Sequence, residues 1–307
     1  MKKTIFAVLI LIVLTTASCR KQQDAPQPGG SVSGKPIRIG YMICNSKDET
    51  LSRFRPLSKY IEREIGRPVE TVAVDTIDFE KALEREHLDF THTNSLLYII
   101  LNRRQGVEVM VAEKRGPLGE RTRGLIIARN GSGIASVADL KDKTMAFGPM
   151  LGPLSYLAQY DIMLANRFDP ETMLASYSIP SGSFKHEKVI YGVLFGKFDA
   201  GATPELDFDL MAIDGRIDPN DFTVVAKSEP IPYCTWGAPQ RTDEALANKV
   251  EAALLRLKAD TTVTIDGETV KVLSAAGVDG YVDIADSEYD TVREMAKRAN
   301  MPPYQKL

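Results

Sequence analysis

An excess of charge of either sign is missing from this chain: 38 Lys and Arg stand against 41 Asp and Glu over 307 residues, a formal net charge of -3. So weak a field gives a polyanion or an anionic lipid surface little to grip, and nucleic-acid binding is set aside. Cysteine is scarce too, with three in all, no CxxC pair and no Cys/His cluster. That removes a disulfide-built scaffold and a zinc centre from the expected chemistry. The sequence has no GxSxG elbow and no P-loop, so it is read as a non-enzyme without cofactor or metal. The apolar run from Ile5 to Leu14 is too short to span a bilayer.

That run has instead the length of a secretory apolar region, and Lys2 and Lys3 precede it. It ends in "LTTASC", where Ala17 and Ser18 before Cys19 resemble the lipobox of bacterial lipoproteins. Residues 1–18 are thus expected to be a signal peptide and Cys19 the lipidated first residue of the mature chain. The Pro/Gly/Ser/Gln-rich stretch 19–36 has almost no apolar side chains to repay ordering and reads as a flexible tether. Together they predict a body held just off a membrane on its extracytoplasmic side, by an anchor rather than a span. For Cys44 and Cys234, a bridge and two separate buried thiols both remain open.

From Ile37 onward short apolar strands alternate with amphipathic helices. "IRIGYMI" (37–43) predicts a strand, and Arg55-Pro56 opens a helix with Leu57, Tyr60, Ile61 and Ile65 on one face. "VETVAV", "LDFT", "VEVMVA" and "GLIIA" read as further strands, with helices over 78–87 and 95–104. A second set follows: a capping box at "SVAD", strands at "TMAFG", "ASYSIP" and "FDAGA", and helices from Pro153 and His186. A strand after Pro230-Ile231-Pro232, a helix over 243–257 and a capped helix from Ser287 complete the chain. This predicts an α/β chain of two lobes, each a mostly parallel sheet with helices on both faces and a cleft between the lobes. The expected partition is 37–128 for the first lobe, 129–230 for the second, and 231–307 for the return with its terminal helices.

The stretches "PLSKYIEREIGRPVE", "DFEKALEREHLDF", "SVADLKDKTMAFG", "SFKHEKVIYGVLFGKFDAGA", "SEPIP" and "AAGVDGYVDIADSEYDTVRE" carry a resemblance to the phosphate/phosphite/phosphonate-binding (PhnD-like) substrate-binding proteins of ABC importers. The resemblance implies a type II periplasmic-binding fold that captures a small solute and presents it, closed, to a permease. The same fold feeding a membrane histidine kinase is the alternative. A monomer is expected.

The resemblance also implies where the ligand sits. His186 matches the family's ligand-facing histidine after the Ser181-Gly182-Ser183 turn, and Glu205 lies one residue from its acidic position. Read from the residues alone, His186, Ser181 and Ser183 either donate to a ligand anion or form a capping turn. Asn94 and Ser95 either aim a helix start at the cleft or are plain caps, with Thr93 beside them. Tyr41 ends the first strand, open between cleft wall and core. His87 at a helix end reads as structural. Where family members carry a Ser-Thr-Ser run, this chain has Gly152-Pro153-Leu154 and then Ser155, and Phe79 replaces a common Tyr. With those hydroxyls gone, the expected ligand is less highly charged than a phosphonate, or partly apolar, with Leu154 and Phe79 as apolar wall.

Overall fold

The computed structural model describes residues 34–117 and 119–306. The signal segment, Cys19 and the tether up to residue 33 lie outside the described residues. Fifteen strands are formed: β1 Ile37–Met42, β2 Val69–Val74, β3 Phe90–Asn94, β4 Val107–Lys114, β5 Arg121–Thr122, β6 Gly124–Arg129, β7 Thr144–Ala146, β8 Ser176–Ser178, β9 Ala200–Pro204, β10 Phe222–Lys227, β11 Ile231–Pro232, β12 Cys234–Pro239, β13 Thr262–Ile265, β14 Glu268–Lys271 and β15 Gly280–Asp283. They build a six-stranded sheet in the order β15-β4-β12-β3-β1-β2, a five-stranded sheet β10-β6-β9-β7-β8 and two small ribbons.

In the large sheet β1 runs parallel to β2 and β3, while β12 opposes β3 and β4 and β15 opposes β4. In the smaller sheet β7 is parallel to β8 and β9, and only β6 runs against its neighbours β9 and β10. Four strands of each sheet therefore share one direction. Apolar side chains cover both faces of each sheet, which is why runs such as "GLIIA" show no polar alternation. Leu125 and Ile127 of β6 pack with Ile190, Val193 and Phe208, whereas Ile126 and Ala128 face Met145, Leu157 and Phe168.

Two boundaries differ from the sequence reading. The chain leaves the first lobe at 115–123, not near Ala128, because β6 is already an inner strand of the second sheet. An apolar strand buried on both faces carries no mark of the sheet it joins. The return runs through 228–233, and the two crossings are hydrogen-bonded to each other as the ribbon β5–β11. The first long helix spans Lys47–Ile65 and starts well before Pro56. The Ser46 hydroxyl accepts from the Glu49 amide at 3.1 Å, and Asp48 and Glu49 suit the positive helix end. Pro56 sits inside this helix at the cost of one backbone bond.

Within the large sheet, β12 lies between β3 and β4, and His92 and Glu113 meet there. Imidazole Nε2 and carboxylate Oε1 are 2.7 Å apart and both side chains are buried. Phe54, Tyr41 and Trp236 surround the imidazole at ring separations of 4.7, 5.6 and 5.7 Å. Burial pushes the Glu113 carboxyl up, but attraction to His92, its hydrogen bond to that ring, and the Arg115 and Arg53 charges outweigh it and hold the group below the usual glutamate value. A depressed folded-state value adds stability above the unfolded value and loses it on acidification. Denaturant melts should therefore show Glu113→Ala costing about 3–5 kcal/mol at neutral pH, as expected when one partner of a buried pair is removed. The wild-type advantage should shrink as pH drops below about 4. A variant as stable as wild type at pH 7 would show the pair to be energetically idle.

Candidate functional site

Each parallel strand ends by delivering a loop to one place. Residues following β1 (Ile43 to Asn45), β2 (Asp75 to Ile77), β7 (Pro149 onward) and β8 (Ile179), with Asn94 and Pro204 at the ends of β3 and β9, line one cavity of about 450 Å³ between the lobes. This is the carboxyl-end crevice that open α/β sheets use for ligands. Helices begin there as well. The starts of Lys47–Ile65, Ser95–Gln105, Lys185–Leu194, Glu205–Ile213 and the helix running from Pro153 to Ala165 all border the cavity. The positive dipole ends of these helices are a setting for anionic oxygens, although the Glu49, Leu97 and Glu205 amides are already taken by Ser46 Oγ, Asn94 Oδ1 and the Arg123 carbonyl. The only charged side chains on the wall, among the described residues, are Lys185 and Asp75, with His186 between the helix starts.

One corner is polar and tightly specified. Ser155 Oγ and His186 Nδ1 are both buried and have no hydrogen-bond partner, not even each other. The pair therefore lacks the nucleophile–base bond of a catalytic dyad. A Cβ on Gly148 would lie 2.3 Å from Ser155 Oγ and 3.3 Å from His186 Nδ1, and one on Gly152 would lie 2.5 Å from the same Oγ. Two glycines thus make room for the hydroxyl. The helix enters through a wide turn in which the Tyr156 and Leu157 amides both reach the Gly152 carbonyl, at 3.1 and 3.2 Å. Pro153 at its first position forfeits no intrahelical bond, since that amide has no partner there in any case.

Three hydrogen bonds join the lobes around this cavity. The Asn45 Oδ1 accepts from the Phe184 amide at 2.9 Å, the Asn45 carbonyl accepts from the Ser183 hydroxyl at 3.0 Å, and Asn94 Nδ2 donates to the Leu151 carbonyl at 3.0 Å. Phe184 takes a left-handed backbone at φ 57° to make its bond, a conformation that a bulky residue rarely adopts.

The residues expected at the site part company here. His186, Asn94 and Ser155 are on the cavity wall, and Leu154 is with them. Ser183 serves as a bridge between lobes. Ser181 is exposed, and its carbonyl accepts from Lys188 Nζ at 2.7 Å. Tyr41, Phe79, Thr93 and Ser95 stand away from the wall as buried side chains of the first lobe. The pleat explains Tyr41: it turns into the sheet face, where its ring stacks on Phe54 at 4.5 Å and its hydroxyl bonds Ser58 at 3.0 Å. Burial pushes that hydroxyl's pKa well up. Phe79 packs in the core with Leu83 and Leu88, close against Gly40. Glu205 is spent on Lys227 at 2.7 Å and stands 3.9 Å from Arg123 beside the crossing ribbon.

Asn45, Lys185 and the Asp75–Ile77 turn went unnoticed in the sequence, although the Asn45-Ser46 cap before an acidic helix start was a usable signal. Cys44 and Cys234 both reach the wall as free thiols. Cys234 opens β12, and Cys44 lies two residues beyond the end of β1. The fold also gathers donors that no spacing showed, since ligand atoms of His92, Glu113 and Cys234 lie within 4.8 Å of one another. Among the described residues no helix is long and apolar enough to cross a membrane.

The profile of a family described as "ABC transporter, phosphonate, periplasmic substrate-binding protein" matches residues 39–289. Solved structures share the fold at low identity. PhnD1 of Prochlorococcus marinus, in complex with methylphosphonate, superposes with a TM-score of 0.70 at 15% identity, over 87% of this chain and 98% of that one. A Xanthomonas citri protein bound to ATP gives 0.69 at 20% identity, over 87% and 97%. A binding-protein component of a Pseudomonas aeruginosa ABC phosphonate transporter gives 0.68 at 18%, over 87% of each chain.

The corner at Gly148 makes a direct prediction. Gly148→Ala should destabilise the protein by about 1–3 kcal/mol, because the added methyl overlaps Ser155, whose own Cβ would lie only 2.5 Å away. A thermal melt unchanged from wild type would mean that the hydroxyl is not held where the geometry puts it.

Proposed function

The chain belongs to the periplasmic phosphonate substrate-binding protein family of ABC transporters, and from that premise we propose that it is the lipid-anchored capture subunit of an importer. Such a subunit binds solute and catalyses nothing. The observation that carries the reading is the corner of Ser155 Oγ and His186 Nδ1, two buried polar atoms left unpartnered on a wall bordered by five helix starts. A buried polar atom without a partner costs about 1–3 kcal/mol, and a solute oxygen placed there removes that cost. The solute is captured head first, with an anionic or strongly polar group on the second lobe.

Capture works by closure of the lobes about the β5–β11 ribbon. Ligand contacts made to both lobes favour the closed state, and the Asn45 and Asn94 bridges add to it without ligand. The "LTTASC" sequence supports anchoring through Cys19, which keeps the capture subunit beside its permease.

Calorimetric titration with phosphate, phosphite, methylphosphonate and a general metabolite panel tests capture. His186→Ala should weaken the wild-type ligand by about 10- to 100-fold, the loss of one hydrogen bond to a charged group. Asn45→Ala should weaken it by about fivefold through the closed-state population alone. Small-angle scattering should show the radius of gyration contracting on ligand addition, and a ligand bound with no contraction would remove closure from the mechanism. Cys19→Ser should move the protein from the membrane fraction to the soluble one; a variant that stays with the membrane would refute the anchor.

A further inference from the structure

Much of the rest of the cavity wall is apolar, and two of its side chains are unusually exposed. Ile77, on the turn after β2 in the first lobe, is 85% exposed, and Met150, on the loop after β7 in the second, is 56% exposed. Both line the cavity, so both stand at its mouth, one from each lobe. Met42, Leu151, Leu154 and Ile179 continue the apolar surface inward. Size adds a second constraint. At about 30 Å³ per water, 450 Å³ has room for roughly fifteen water-sized groups, whereas an inorganic oxyanion offers five heavy atoms. Charge adds a third, because Lys185 and Asp75 cancel formally, leaving the helix starts and His186 to balance the ligand. That balance suits one negative charge better than two.

Resting on the capture reading above, we propose that the solute is a monoanion with an apolar substituent several carbons long. Its charged head sits at Ser155 and His186, and its tail lies between Ile77 and Met150. A small oxyanion would satisfy the corner but leave most of the cavity and both exposed side chains in water. A tail that reaches the mouth covers them, and each buried methylene is worth up to about fourfold in affinity.

The test is calorimetry on the full chain with two homologous series, n-alkylphosphonates and n-alkanoates from one to eight carbons, each titrated into wild type, His186→Ala and Ile77→Ser/Met150→Ser. Wild type should bind each added methylene two- to fourfold more tightly until the mouth is reached. His186→Ala should weaken all members by a similar factor and keep the slope. The double variant should keep methylphosphonate affinity and lose the slope. Affinity that is flat or falls with chain length, while methylphosphonate still binds, overturns the apolar tail and leaves solute capture standing. An equal slope in the double variant removes Ile77 and Met150 from the tail site and overturns the proposed placement. No binding by any member of either series overturns the inference outright, and the metabolite panel above then decides separately whether the cavity captures any solute.

Discussion

The two crossings between lobes are hydrogen-bonded to each other, and the site depends on that constraint. Ile231 pairs with Thr122 and Pro232 with Arg121, so neither segment can move without the other. Because the first sheet resumes at Cys234 and the second begins at Gly124, the ribbon fixes how the carboxyl ends of both parallel blocks share one cavity. A second tie lies outside the cavity wall. The terminal helix Asp290–Arg298, reached from the first sheet, carries Arg298 to Asp161 of the second lobe in a two-pronged pair at 2.6 and 2.9 Å. Tyr289, Val292 and Met295 share a core with Phe147, Leu157 and Met163. Apolar packing therefore joins the lobes here, while Asn45 and Asn94 bridge them at the cavity.

Those bridges are polar and local, unlike the packed side. A neutral hydrogen bond contributes about 0.5–1.5 kcal/mol net, so three of them bias the lobes together without locking them. Phe184, which donates one of these bonds, holds a left-handed backbone that costs a non-glycine residue of order 1 kcal/mol or more. In the proposed closure, small terms of this kind would let a solute decide between the open and closed forms.

The alternation of apolar strands and amphipathic helices made the two-lobed α/β architecture readable, because doubly buried strands leave short apolar runs and helix faces leave a 3.6-residue period whatever their partners. Local signals such as the "SVAD" box also translate directly: Asp139 accepts from the Ser136 amide at 2.9 Å. Strand ends were harder. Thr93 and Asn94 are neighbours, yet only Asn94 reaches the cavity, and Tyr41 turns into the core although the wall begins at the next residue, Met42. A shift of one residue along a pleat exchanges wall for core, and a sequence without a register does not show which is which. His92 and Glu113 were hidden for a related reason. Their contact spans a strand that arrives from residue 234 onward, so no spacing in the first 120 residues announces it.

Replacing the expected hydroxyl run by Gly152-Pro153-Leu154 looked like a loss of anion-binding capacity, and the geometry changes what that loss means. Backbone amides at helix starts need no particular side chain, and five such starts border the cavity. What the substitution removes is a set of hydroxyl donors that would serve a highly charged oxyanion. Backbone amides are fixed in direction and still serve an oxyanion, but fewer donors balance less charge. On the proposed reading the apolar wall adds selectivity: Pro153 and Leu154 themselves, with Leu151 and Ile179 beyond. In the proposed site the segment that lacks those hydroxyls supplies apolar surface through Pro153 and Leu154, which would favour a solute with an apolar body.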